Sequence, residues 1–279
     1  MATQHLALKK FDVKRILPTN VVVLIGKRNS GKTVLMEDIL YHLRHTLPIG
    51  TVMSATEEVN PFYSRLMPSI CIQNEYRTDI ITRVMDRQKR TVQQMNSEIE
   101  ASASKTSSIN PHAFVILDDC LYDDRWTREK NIRFLFMNGR HLKILFMITM
   151  QYVLGIPPVL RANIDYVFIF REPSIQNRRR LYESYASMFP TFDAFCTVFD
   201  QCTEGFECMV ICNAVRSNRL EDQVGWYKAE MHEPFKICSP AVWEKDEEQR
   251  RLGGVEENTF NPHALKKQTA PSIAVKKLY

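Results

Sequence analysis

Five consecutive apolar residues, Val21 to Ile25, run directly into Gly26-Lys27-Arg28-Asn29-Ser30-Gly31-Lys32-Thr33. After Thr33 the apolar residues Val34, Leu35, Ile39, Leu40 and Leu43 recur at helical spacing. Strand, glycine-bounded loop, helix is the context in which the pattern G-x-x-x-x-G-K-[ST] cradles a polyphosphate. The physical demand is for many donors converging on one anion, which consecutive backbone N–H groups supply as a nest. Gly26 and Gly31 let the chain turn and approach a phosphate closely. The first N–H groups of the helix have no internal partners and sit at its positive end. The nucleotide-binding set is therefore Gly26, Lys27, Arg28, Asn29, Ser30, Gly31, Lys32, Thr33 and Val34. Lys32 reaches toward the β- and γ-phosphates of ATP, and Thr33 offers its hydroxyl to Mg²⁺.

The rest of the chain is organised to match. Ala113 to Leu117 form a second apolar strand running into Asp118-Asp119, the form of a Walker B segment. The first carboxylate suits a Mg²⁺ shell and the second suits an attacking water. Taken alone, the pair reads equally well as a helix-capping turn; the upstream loop favours the catalytic reading. Further strands are expected at Thr51–Ser54, Ser69–Ile72, Lys143–Thr149, Asp165–Phe170 and Cys208–Val215, with Trp226–Ala229 pairing with the last. Helical stretches are expected at 78–103, Thr127–Asn138, 174–189 and Phe192–Asp200. Alternating strands and helices predict an α/β fold, mainly a parallel sheet with helices on both faces, binding its nucleotide at the carboxyl ends of the strands. A polar Gln151 ends the strand after Asp118-Asp119, which suits P-loop ATPases with an inserted strand. No N-K-x-D guanine motif occurs, which disfavours GTPases.

Composition sets bounds. The 279 residues carry a formal net charge of +5, which permits nucleic-acid binding without establishing it. Seven cysteines without C-x-x-C spacing argue for free thiols in a reducing compartment rather than a disulfide framework or a zinc site. No run of 18 apolar residues predicts a membrane span, and Met1 to Lys10 lacks a secretory core. Three segments are expected: a basic lead-in over 1–19, an ATPase domain over 20–244, and a charged, mostly disordered tail over 245–279.

The motif set resembles the genome-packaging ATPases of large double-stranded DNA viruses, the poxvirus-type branch of the FtsK–HerA translocases. The matching pieces are Gly-Lys-Arg-Asn-Ser-Gly-Lys-Thr (26–33), Ile-Leu-Asp-Asp (116–119), Asn-Gly-Arg-His (138–141) and Ile-Thr-Met-Gln (148–151). They span roughly residues 18–215. The resemblance implies a RecA-like P-loop core assembled into a homo-oligomeric ring, a hexamer, that hydrolyses ATP to push double-stranded DNA into a preformed capsid. It implies partners in the capsid or the inner membrane of the virion, and a place in the virion or a cytoplasmic assembly site of the host cell, without secretion. Carried over by motif, Lys32 and Thr33 hold phosphate and Mg²⁺, Asp118 completes the metal shell and Gln151 senses the γ-phosphate. Asp119 stands where the wider superfamily has Glu, so Glu57 or Glu58 is an alternative catalytic carboxylate. Arg140 is the candidate arginine finger acting on a neighbour's nucleotide, with Arg171 its rival.

Arg83, Arg87 and Arg90 share one helical face and offer a row for tracking a DNA backbone, although a solvated helix face is the default explanation. A nucleoside or nucleotide kinase is the competing class, with Arg178-Arg179-Arg180 closing over phosphates. A cellular-type translocase or helicase is a second alternative.

Overall fold

The computed structural model describes residues 6–120, 124–152 and 156–252. The apolar runs pair into one sheet whose strands are β1 (Lys9–Lys10), β2 (Val21–Ile25), β3 (Ile49–Ser54), β4 (Ile72–Gln73), β5 (Ala113–Asp118), β6 (Ile144–Met150), β7 (Tyr166–Phe170), β8 (Glu207–Cys212) and β9 (Val224–Lys228). Their spatial order is β1-β9-β8-β7-β2-β6-β5-β3-β4. β7, β2, β6, β5, β3 and β4 are mutually parallel, β8 pairs antiparallel with both neighbours, and β1 pairs parallel with β9. This is the mixed α/β, mainly parallel architecture that the sequence predicts. The inserted strand is β6, which separates the glycine-loop strand β2 from the acidic strand β5.

The helices are α1 (Lys32–Leu43), α2 (Thr78–Ala101), α3 (Lys130–Asn138), α4 (Pro158–Arg161), α5 (Ile175–Tyr185), α6 (Phe192–Cys202), α7 (Leu220–Gln223) and α8 (Pro240–Leu252). They cover both faces, so the central strands read as unbroken apolar runs rather than alternations. The period of two still divides the core. Val21, Val23 and Ile25 pack with Ile81, Ile132, Leu135, Phe195 and Phe199 beneath α2, α3 and α6. Val22 and Leu24 pack with Leu35, Met36, Ile39 and Leu40 of α1, together with Tyr227 and Ile237.

Three expectations shift. The strand expected at Ser69–Ile72 is a 3-10 turn, Ser69–Cys71, leading into the two-residue β4. The start of the helix expected at Thr127 is a 3-10 turn, Asp124–Arg128, and α3 begins at Lys130. Residues 245–252, assigned by composition to the tail, belong to α8. The buried Asp246 explains why: its carboxylate accepts from the Ser69 hydroxyl at 2.6 Å and the Ile70 N–H at 2.9 Å, and it pairs with Arg250 at 2.9 Å. Trp243 donates its indole N–H to the Ile237 carbonyl at 2.9 Å, docking the same helix. Residues 253–279, the remainder of the expected tail, lie outside the described residues. All seven cysteines are free thiols, as expected. No helix among the described residues is long and apolar enough to cross a membrane.

Candidate nucleotide-hydrolysis site

Because β2, β5, β6 and β7 run parallel, the residues that follow them meet at one edge of the sheet. The glycine loop follows β2. Asp118 and Asp119 lie at the end of β5, Gln151 follows β6, and Arg171 follows β7. The single strand β6 between β2 and β5 sets the acids roughly 10 Å from the glycine-loop strand, two strand spacings away.

The loop is built for an anion. Gly31 has φ +103° and Asn29 φ +60°, so the chain turns through the left-handed region twice. A Cβ on Gly26 would lie 2.7 Å from both the Phe170 Cβ and the Ser30 Oγ, so the closeness of the fold requires glycine there. The α1 N-terminus has no side-chain cap. The buried Ser30 hydroxyl has no hydrogen-bond partner. Uncapped N–H groups and an orphaned hydroxyl around a glycine cradle fit a phosphate group.

Lys32 is buried, and its ammonium donates to the carbonyls of Gly26 at 2.5 Å and Lys27 at 3.0 Å. Burial lowers its pKa, opposed by the carboxylates of Asp119 and Asp118. Lys27 itself pairs with the buried Glu172 at 3.1 Å, so its side chain braces the loop against the β7 end. Thr33 and Val34 are exposed at the mouth. Asn29 to Val34 line a cavity of about 470 Å³ with Phe206, Lys228, Ala229 and Met231. Phe206 and Met231 present exposed apolar side chains there, suited to the flat face of a base.

The acids are held as a chain. Asp119 has φ +46°, a conformation that a short polar side chain tolerates, and it re-aims the carboxylate at the end of β5. Gln151 donates from Nε2 to Asp119 Oδ2 at 3.1 Å. The Asp119 N–H donates to the Thr149 hydroxyl at 3.0 Å, and that hydroxyl donates to Asp118 Oδ1 at 2.6 Å. Burial raises the pKa of Asp118, partly offset by the Thr149 hydrogen bond. Oxygen donors on Thr33 and Asp118, facing one edge, are the donor type that Mg²⁺ takes. Burial pushes the neighbouring Cys120 thiol up to about 12, which makes it inert as a nucleophile.

Several candidates stand elsewhere. Arg140 is exposed in the 3-10 turn Gly139–Leu142 that enters β6, at the opposite edge of the sheet. The seven residues of β6 put it about 20 Å from its own chain's acids. Gln88 of α2 is buried and donates to the carbonyls of Leu142 at 3.0 Å and Pro111 at 2.7 Å, tying α2 to that turn. Arg171 is exposed on the near edge, beside Lys27 and Arg28. Glu57 is buried and accepts three backbone N–H groups, from Phe62, Tyr63 and Ser64. Its carboxylate is therefore spent on a turn and corrects the alternative assignment as a base; Glu58 is exposed.

The arginine row on α2 is also corrected. Arg83 and Arg90 are exposed, but Arg87 turns inward, with Nη2 buried and unpaired and Nε on Gln88 Oε1 at 3.3 Å. Arg83 is further held by Asp79 at 2.5 Å. The three do not form one free cationic face. Sequence reasoning passed over Thr149 as a site residue, although it lies within the quoted Ile-Thr-Met-Gln motif. It had no signal for Phe206 and Met231, which lie outside the helices and strands, or for Lys228, the last residue of β9.

The chain is similar to several known proteins. The family profile described as "Poxvirus A32 protein" matches residues 8–181. A protein of Acanthamoeba polyphaga mimivirus is 36% identical over 223 residues, covering 80% of this chain and 77% of its own. One from Invertebrate iridescent virus 6 is 35% identical over 225 residues, covering 77% and 83%. Among solved structures, the DNA-packaging ATPase B204 from Sulfolobus turreted icosahedral virus superposes with a TM-score of 0.52 at 14% identity, covering 77% of this chain and all of that one. The pCW3 conjugation coupling protein TcpA superposes with a TM-score of 0.54 at 13% identity, covering 86% and 66%. At such identities these likenesses show the shared P-loop ATPase fold.

Proposed function

The chain belongs to the poxvirus A32 protein family, and from that premise we propose that it is an ATP-hydrolysing motor that drives viral double-stranded DNA into a capsid. The observation that carries this reading is the hydrogen-bonded chain Gln151–Asp119–Thr149–Asp118 on the same sheet edge as the glycine loop. A kinase needs a phosphate cradle and an acceptor pocket; a carboxylate locked to a polar glutamine is equipped instead to orient water.

In this mechanism the loop N–H groups and Lys32 would hold the phosphates, Thr33 and Asp118 would hold Mg²⁺, and Phe206 and Met231 would give the base apolar contact. Bound Mg²⁺ supplies neutralisation of phosphate charge. Asp119 accepts the proton of the attacking water and orients it, and Gln151 fixes the Asp119 carboxylate and couples it to β6. Catalysis of this class is positioning and charge stabilisation, so the rigidity of the Thr149 link matters as much as the acids. Arg140, remote from its own site, acts on the nucleotide of an adjacent subunit in a homo-oligomeric ring, expected to be a hexamer. The partners are double-stranded DNA and a capsid or inner-membrane component, in the virion or at a cytoplasmic assembly site of the host cell.

The kinase reading loses its lid. Arg178 makes a bidentate pair with Asp200 at 2.6 and 3.1 Å and donates to the Glu172 carbonyl, and Arg179 lies over the Phe192 ring at 4.3 Å. The test is steady-state ATP hydrolysis with and without duplex DNA, and with a nucleoside acceptor. Stimulation by DNA that Asp119→Asn abolishes is the expected result. Activity blind to DNA but switched on by the acceptor contradicts the proposal.

A further inference from the structure

On α1, about 1.7 turns beyond Lys32, stands a cluster that the hydrolysis mechanism does not use. Asp38 is fully buried. Its Oδ2 accepts from the Tyr227 hydroxyl at 2.7 Å and the Glu230 N–H at 3.0 Å. Its Oδ1 faces two imidazoles: His232 Nε2 at 2.7 Å, and His42 Nε2, one helical turn along α1, at 3.3 Å. One ligand atom from each of Asp38, His42 and His232 lies within 4.8 Å of the other two.

We propose that Asp38, His42 and His232 form a zinc site that staples the segment after β9 to the glycine-loop helix. A buried carboxylate requires a compensating positive charge. Among the described residues, the ion-pair partners of Asp38 are these two imidazoles. Two histidines and one carboxylate are a donor set that zinc takes with one position left for water. Tetrahedral zinc with bonds of about 2.0–2.1 Å needs ligand atoms about 3.3 Å apart. The Asp38–His42 pair already has that separation, and the Asp38–His232 pair must open by about 0.6 Å. Groups outside the cluster hold the carboxylate and one imidazole in place. Tyr227 and Glu230 occupy the second carboxylate oxygen. Tyr41 stacks on His232 at 3.7 Å, and Arg44 lies over the Tyr41 ring. Both histidines are slightly open to solvent, which gives an ion a way in.

The staple has a structural consequence. His232 follows Lys228, Ala229 and Met231, which wall the cavity beside the glycine loop. Closing the site fixes that wall relative to the helix carrying Lys32 and Thr33, whatever the cavity binds.

The test uses the full chain, stripped with a chelator and titrated with Zn²⁺ against a chromophoric competitor, then with Co²⁺ read by visible absorption. Glutamine variants keep size and hydrogen bonding, so His42→Gln and His232→Gln are compared with the exposed neighbour His45→Gln. The expected result is one Zn²⁺ lost on His42→Gln or His232→Gln by on the order of 100-fold in affinity and unchanged in His45→Gln. The unfolding midpoint rises with Zn²⁺ only where the ligands are intact. Circular dichroism of the metal-free variants separates lost binding from lost folding. Binding that is equal in all four proteins overturns the proposal. So does an unfolding midpoint of the wild-type chain that is insensitive to Zn²⁺.

Discussion

Glu57→Gln separates a structural carboxylate from a catalytic one. Glu57 Oε2 accepts from Phe62 at 2.9 Å and Tyr63 at 3.0 Å, and Oε1 accepts from Ser64 at 2.8 Å. An amide keeps one acceptor atom and turns an N–H toward the other backbone donor. A hydrogen bond to a charged acceptor contributes about 1.5–3 kcal/mol, so losing one and weakening two costs about 2–4 kcal/mol. At about 2–4 °C per kcal/mol for a chain of this size, the thermal midpoint falls by about 4–16 °C. Turnover per folded molecule stays within about twofold, because no reacting atom meets Glu57. Asp119→Asn behaves oppositely. It gives up one half-exposed contact with Gln151, worth about 1 kcal/mol, and lowers turnover about 10²–10⁴-fold. Differential scanning fluorimetry and steady-state phosphate release, run on both variants at matched folded fractions, read the two effects. A Glu57→Gln protein with an unchanged midpoint and a hundredfold loss of turnover, about the size expected of a lost general base, would refute the assignment.

Other outcomes follow from the same geometry. Gly26→Ala sets a Cβ 2.7 Å from Phe170 Cβ and Ser30 Oγ, so it costs about 1–3 kcal/mol of stability and at least tenfold in nucleotide-analogue binding, about 1.4 kcal/mol, by fluorescence titration. Arg140→Ala lowers turnover by about 10³–10⁵-fold if it completes a neighbour's site. Mixing it with Asp119→Asn restores activity, because some interfaces then join an intact acid to an intact arginine; absence of restoration at every ratio sinks the trans role. For Asp246, burial pushes the carboxyl up, but hydrogen bonds from Ser69 and Ile70 and the Arg250 charge outweigh it and hold the pKa below the usual range. A depressed folded pKa gives stability present above the ordinary carboxylate range and lost as pH falls through the folded value. Trp243 fluorescence should therefore report release of α8 in acid, and Asp246→Asn should release it at neutral pH.

What the sequence made legible was local. A strand, two glycines and an amphipathic helix are neighbours along the chain, so the glycine loop and Lys32 could be read at sight. Asp118-Asp119 and Thr149-x-Gln151 were legible as strand ends, and parallel pairing brought them to one edge. The misread features depend on distant chain. Glu57 was misplaced because its partners are backbone N–H groups of a turn that no pattern announces. Arg87 shares the spacing of Arg83 and Arg90, yet the side of α2 that packs on the sheet reaches far enough round to take it in. Asp246 was hidden in a charged stretch, and two of its partners, Ser69 and Ile70, lie 177 and 176 positions earlier. Asp38 and His232 are 194 positions apart, a separation at which spacing carries no information.

The central claim is that hydrolysis at this edge moves duplex DNA. The direct measurement is displacement of a third strand annealed to a linear duplex, followed by fluorescence as ATP is consumed. Displacement that requires ATP, stops in Asp119→Asn and scales with turnover is the expected result. ATP hydrolysis that proceeds at full rate on the same duplex while the third strand stays bound would contradict it.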